Sequence, residues 1–204
     1  MGQVKPDLAE EQFREILRLD PANATAHCGL ATAILAQPPI SRPRIDEMVA
    51  SLKESIRLKV DPRMSYSIVG QVFSAAGRPD EGTKLLEDAV AAEGAPGIIH
   101  YHLAEALQAR IGRDAEAVSH YQTAIAGNLP RQLALTAHAR LGALHEAQGR
   151  PGDALAEYRK ASTLAAPGGP EARSAIQAIR RLEGAGDSPR RDGAAQDEGR
   201  PASP

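Results

Sequence analysis

Apolar residues recur along this chain at helical spacings of three and four, and the recurrence itself repeats. In Tyr66-Ser67-Ile68-Val69-Gly70-Gln71-Val72-Phe73 a ring is followed one turn later by an apolar and a small residue, then by a second ring. The same cadence returns at His100, Leu103, Ala104 and Leu107, at His138, Leu141, Gly142 and His145, and earlier at His27, Leu30, Ala31 and Ile34. Each such helix is followed by a turn and a second helix with its own cadence of small, large, small. Ala154, Tyr158 and Ala161 show it, as do Ala117, Tyr121 and Ala124, then Gly82, Leu86 and Ala89, and less faithfully Met48, Leu52 and Ser55. Small residues at helix crossings let backbones approach, and the large residue between them fills the adjacent gap. Gly77, Gly112 and Gly149 stand where the first helices end, as a left-handed C-terminal cap requires. Arg78-Pro79-Asp80-Glu81 and Arg150-Pro151-Gly152-Asp153 restart the chain as helix, with proline and acid suited to a first turn.

This pattern resembles the tetratricopeptide repeat, a helix-turn-helix unit of about 34 residues. From Tyr66 to His100 is 34 residues, while His27 to Tyr66 spans 39 and His100 to His138 spans 38, so two units carry insertions. The residues alone predict an all-α array of paired amphipathic helices. The resemblance implies a right-handed superhelical solenoid whose first helices line a concave groove used for protein binding. It predicts a disordered start at residues 1–7, an array over 8–183 made of a half repeat, four repeats and a cap helix, and a disordered tail at 184–204.

The ends carry their own signals. Ala9, Phe13 and Ile16, followed by Leu19-Asp20-Pro21, match only the second helix of a unit. An uncovered apolar face there predicts weak self-association through this half repeat. From Glu171 to Glu183, Ala172, Ala175, Ile176, Ile179 and Leu182 share one stripe, opposite Arg173, Gln177, Arg180 and Arg181, as a solvating cap helix should. The last segment, rich in Gly, Pro, Ala, Asp and Arg, has no large apolar residue.

Composition restricts function. With two Phe, four Tyr and no Trp, the interior must be built from Ala, Leu, Ile and Val. A net charge of −2, from 24 basic and 26 acidic residues, argues against nucleic acid as a partner. No stretch of about 18 apolar residues or secretory leader is present, so no membrane partner and a cytoplasmic location are expected. The sole cysteine, Cys28, reads as a small apolar filler. Asn23-Ala24-Thr25 matches a glycosylation sequon, but without a leader the match carries no weight.

Six histidines invite a metal or catalytic reading, and their spacing opposes it. His27, His100 and His138 occupy the ring position of the repeat. His100 and His102, two apart on a helix, point in different directions. His145-Glu146 lacks the second histidine of a zinc-protease helix. No metal, cofactor or catalytic residue is expected, and the chain reads as a non-enzyme.

What remains is binding. Pro38-Pro39-Ile40-Ser41-Arg42-Pro43-Arg44, between the paired helices of one unit, reads as a stiff, extended, cationic insertion, either a tolerated surface loop or a partner contact. The phase of the first helices places Thr25, Cys28, Thr32, Met64, Ser67, Gln71, Tyr101, His102, Glu105, Gln108, Arg140 and Glu146 on the concave strip. Of these, Gln71, Tyr101, His102, Glu105, Gln108, Arg140 and Glu146 are the candidate contacts for a partner protein or peptide, with Tyr101 as an exposed aromatic anchor. The carboxylate-gripping clamp of the family is not implied, because the corresponding positions hold Cys28, Thr32, Ile68 and Ile98 and only Arg140 offers a cation. The resemblance thus implies an adaptor or scaffold. It also admits a regulatory or targeting module belonging to a larger enzyme, such as a glycosyltransferase or sulfotransferase.

Overall fold

A computed structural model describes residues 6–58, 62–91 and 95–186. Among them the chain forms eleven helices and no strand: α1 (Pro6–Leu19), α2 (Ala24–Leu35), α3 (Arg42–Arg57), α4 (Pro62–Tyr66), α5 (Val69–Ala75), α6 (Pro79–Ala91), α7 (Gly97–Gln108), α8 (Asp114–Ala126), α9 (Arg131–Ala147), α10 (Pro151–Leu164) and α11 (Pro170–Gly186). Apart from the short α4, which leans on α7 as well as on α3, each helix packs chiefly on its neighbours in sequence, the pattern of an all-α solenoid. The array is slightly longer than the periodicity predicts. Pro6 and Asp7 already belong to α1, with proline and an acid in its first turn, and α11 runs through Gly186 rather than stopping at Glu183. The remainder of the predicted disordered ends, residues 1–5 and 187–204, lies outside the described residues.

The predicted terminators hold. Gly77 and Gly149 take φ of 68° and 70°, a conformation costly for any residue with a Cβ. Arg78 N–H then reaches back to Phe73 O at 2.8 Å, and Arg150 N–H to His145 O at 2.9 Å, which satisfies carbonyls the helix leaves open. Asn23 starts α2, its side-chain oxygen accepting from Ala26 N–H at 3.0 Å. That capping role accounts for the asparagine of the sequon.

A single cluster of Leu, Ile, Val, Ala and three buried rings runs through the array from Leu30 to Leu144. Ala117, Tyr121 and Ala124 of α8 are all fully buried within it, as are Met48, Leu52 and Leu86 of the earlier second helices. Crossings are made close by small residues set against rings. A Cβ on Gly29 would stand 2.3 Å from Phe13 Cζ, one on Gly82 2.7 Å from Phe73 Cβ, and one on Gly142 2.8 Å from Tyr158 Cε1. The start of α7 meets the end of α8 backbone to backbone: a Cβ on Gly97 would come within 2.7 Å of Ala124 O.

Three expectations need correction. The helix expected across Tyr66–Phe73 is broken at Ser67–Ile68 into α4 and α5. There Ser67 Oγ donates to Met64 O at 2.8 Å, a local bond that competes with the helical ladder. The insertion is not an extended cationic loop, since Arg42, Pro43 and Arg44 form the first turn of α3. Arg44 is engaged with Glu10 and with Gln37 Oε1, 3.2 Å away, tying α3 to α1 and to the turn after α2. The apolar stripes of the end helices are also rotated. Phe13 and Leu17 of α1 pack on the main cluster while Ile16 is exposed. In α11, Ala178 is buried with Ala172 and Ala175, and Ile176 faces out.

Candidate protein-binding groove

The first helices α5 and α7 lie on either side of a cleft of about 860 Å³ that reaches the turns before α6 and α8. Ser67, Gly70, Gln71 and Ser74 line it from α5 and the break before it, His102, Glu105 and Ala106 from α7. The break at Ser67–Ile68 borders this cleft, so the irregular backbone and the recess coincide. Its far end is closed by the ion pair of Arg110 with Asp80, and by Arg113, which binds Glu87 at 3.0 Å and Glu116 at 2.5 Å. On the rim Ile111 stands fully exposed at the tip of the α7–α8 turn.

Glu105 organises the polar side of the cleft. It accepts from Tyr101 OH at 3.1 Å through Oε1, and its Oε2 lies 3.1 Å from His102 Nδ1. A carboxylate only accepts, so the contact requires the proton on His102 Nδ1, which in a neutral imidazole leaves the lone pair on Nε2. That Nε2 is buried without a hydrogen-bond partner among the described residues. Burial first, and then the Glu105 carboxylate, push the Tyr101 phenol above its ordinary pKa, so it stays a donor.

Of the seven candidate contacts, three come together here: Gln71, His102 and Glu105. Tyr101 does not serve as an exposed anchor, being 3 % exposed. Its ring packs edge-on against Tyr121 at 5.8 Å between centroids, and its role is to hold Glu105. Gln108 is held from the other side, its Oε1 accepting from Tyr121 OH at 3.1 Å. Glu146 is committed to Tyr158 OH at 3.2 Å and to Arg181 at 2.7 Å, which pins α11 to α9. Arg140 is exposed and has no carboxylate partner among the described residues. Of the cleft residues that sequence reasoning misses, Arg110 and Ile111 sit in the turn after α7, where helical phase gives no reading, and Asp80 lies in the first turn of α6, where it reads only as a helix-start acid.

The histidines have individual explanations. His27 Nε2 is 3.0 Å from Pro21 O, His138 Nδ1 is 2.6 Å from Glu157 Oε2, and His145 Nδ1 is 2.6 Å from Arg150. His100 and His120 meet Nδ1 to Nδ1 at 3.0 Å across α7 and α8. With ring centroids 5.3 Å apart the contact is nearly end-on, the geometry of one proton held between two nitrogens. Burial pushes the Cys28 thiol up, as suits a packing residue. Among the described residues no three of His, Cys, Asp and Glu converge to hold a metal ion, and no helix is long and apolar enough to cross a membrane.

Comparison with known proteins agrees with this architecture. The tetratricopeptide repeat model matches residues 70–132 and 108–170. No curated protein matches the sequence. Among solved structures, MamA is 19% identical over 78% of this chain and 88% of its own, with a TM-score of 0.58. YrrB, described as a TPR protein with an unusual peptide-binding site, is 18% identical over 84% of each chain, with a TM-score of 0.55. A thermophilic TPR protein of Thermus thermophilus, TTC0263, is 18% identical over 88% of this chain and 90% of its own, at 0.57. At these identities the likeness is one of fold, and it joins the repeat cadence and the matched segments in one conclusion: this chain belongs to the tetratricopeptide repeat family.

Proposed function

We propose that the chain is an adaptor that holds a short segment of a partner protein in the cleft between α5 and α7. The observation that carries this reading is the cleft itself, which the exposed side chains of Gln71 and Ser74 line with no hydrogen-bond partner among the described residues. Polar groups left open in a recess are complementary to a peptide backbone, whose N–H and C=O groups supply both donors and acceptors. The Gln71 amide pairs with such a backbone unit. Ile111 then covers an apolar side chain of the ligand at the rim. The volume suits a few residues rather than a whole helix, since ligand pockets of about 300–1,000 Å³ enclose molecules of drug size. That YrrB has a peptide-binding site on the same fold supports this ligand class.

Affinity capture from the native cell, with mass spectrometry, identifies the partner, and cleft variants test the site. Gln71→Lys and Ile111→Glu are expected to lose the captured protein, whereas Lys84→Glu on exposed α6 surface retains it. For the isolated ligand segment each cleft change is expected to weaken binding by more than about 1 kcal/mol. Unchanged capture and affinity in both cleft variants, with the fold intact by circular dichroism, would place binding elsewhere.

A further inference from the structure

Six large hydrophobic side chains are exposed among the described residues, and five of them gather at the two ends of the array. Leu8, Ile16 and Leu19 are 54 %, 39 % and 70 % exposed on α1, and Met64 is exposed as well. On another side of α1, Met64 borders an almost wholly apolar notch of about 380 Å³ in the angle of α1 and α2, which Ala9, Phe13 and Gly29 also line and Leu8, Ile16 and Leu19 do not. At the other end Ile176 interrupts the polar outer face of α11. The two ends are also unlike in repeat position. α1 is a second helix that packs chiefly on α2, the first helix of the next unit, while α11 stands in the place of a first helix and packs chiefly on α10, the second helix of the unit before it, so among the described residues each end helix has one main neighbour.

Charge divides the same way. Leu8, Glu11, Glu15 and Leu19 follow one another along one stripe of α1; Glu15 is held by Arg18 at 2.8 Å, and neither Asp7 nor Glu11 has an ion-pair partner among the described residues. On α11, Arg173, Ile176 and Arg180 make one stripe; Arg180 has no carboxylate partner among the described residues, and Arg173 reaches only the Gly168 carbonyl at 2.6 Å. One end thus offers leucines among acids, the other an isoleucine between arginines. A second copy of α11 has the repeat position, apolar residue and charge that the α1 end lacks, and two α1 faces would set acid beside acid.

We propose that copies of this chain associate head to tail, α11 of one copy docking on the exposed α1 face of the next, so that together they complete a repeat unit. Such a contact joins two different surfaces and leaves each end of the assembly open, so it propagates instead of closing at a dimer.

Sedimentation velocity from low-micromolar to millimolar concentration tests it on the full chain. The wild type is expected to grow beyond dimer as concentration rises. Ile176→Glu and, separately, Leu8→Glu with Leu19→Glu are each expected to stay monomeric, and an equimolar mixture of the two to form dimers that grow no further. Each blocked variant keeps one good end, so only a two-surface contact gives this result. All the substituted positions are exposed, and circular dichroism confirms the fold. Should an end variant unfold, exchanging charges, Arg173→Glu with Arg180→Glu mixed against Glu11→Lys with Glu15→Lys, repeats the pairing test. A wild type that is monomeric throughout, a mixture that stays monomeric, or association that survives Ile176→Glu would each overturn the proposal, the last by indicating pairing of α1 with itself.

Discussion

Gly70 and Gly142 occupy the same place in the repeat cadence, yet the structure gives their replacement by alanine opposite signs. On Gly142, in the middle of α9, a Cβ would lie 2.8, 2.9 and 3.0 Å from Cε1, Cδ1 and Cζ of Tyr158. That ring cannot simply withdraw, because it is 8 % exposed and its hydroxyl donates to Glu146. Alanine gains about 0.5–1 kcal/mol over glycine within a helix, and overpacking costs about 1–3 kcal/mol, so Gly142→Ala should destabilise by about 0.5–2 kcal/mol. On Gly70 a Cβ meets nothing within 4 Å, because the residue faces the open cleft. Only the backbone gain remains, and Gly70→Ala should stabilise by up to about 1 kcal/mol. Urea unfolding followed by circular dichroism, fitted with a common slope, measures both, and the shift in midpoint should differ in sign between them. A Gly142→Ala variant as stable as Gly70→Ala would show that the α9–α10 crossing is looser than the contact with Tyr158 requires.

Other variants test separate links. Ala161→Leu, at a buried position of α10, is expected to cost about 1–3 kcal/mol in the same unfolding assay. Ser55→Ala removes a buried hydroxyl that donates to Ala24 O at 2.8 Å and lies 2.6 Å from Ser65 Oγ; the orphaned groups should cost about 1–3 kcal/mol. The His100–His120 contact predicts a pH dependence. Burial, with the neighbouring His120 charge, lowers the pKa of His100. Burial likewise lowers that of His120, outweighing the carboxylates of Glu116 and Glu87 that pull the other way. The unfolded chain then binds more protons than the native one just below the ordinary histidine value. Stability should be complete above that value and fall as pH drops through the lowered native ones. His100→Gln with His120→Gln should flatten this limb of a thermal-melt series between pH 8 and 5, and an unchanged slope would assign the loss to other groups.

The fold was legible because it is built from local repetition. Gly142 and Tyr158, or Gly82 and Phe73, meet only because a small residue and a ring recur at fixed offsets, and those offsets are visible in the residues. The cleft was half legible. Helical phase put Gln71, His102 and Glu105 on one strip, but phase says where a side chain points and not what stands opposite. Tyr101 points as expected and is covered by Tyr121 of the next helix, a pairing with no signature in either segment. Glu146 is claimed in the same way by Arg181, 35 residues further on. Ile111 belongs to a turn, outside any periodicity, and Ile16 and Ile176 face solvent because alternative apolar neighbours, Leu17 and Ala178, take the inward positions.

The seam that holds α11 has a consequence for the order in which the array opens. Its buried positions are Ala172, Ala175 and Ala178, with Ile179 and Leu182 half-buried beside them, and Ala172 and Ala178 belong to two small clusters separate from the one that runs from Leu30 to Leu144. A methyl group returns little when removed from water, about 0.8 kcal/mol per carbon by the usual transfer scale, so the closing contacts of α11 are weak beside those of α7 or α8. Its amides should exchange with deuterium by sub-global opening, well before those of the ring-filled centre. The array then behaves as a zipper with a preferred loose end. A neighbouring molecule that seats α11 would slow its exchange in proportion to occupancy, and the centre would keep its own rate.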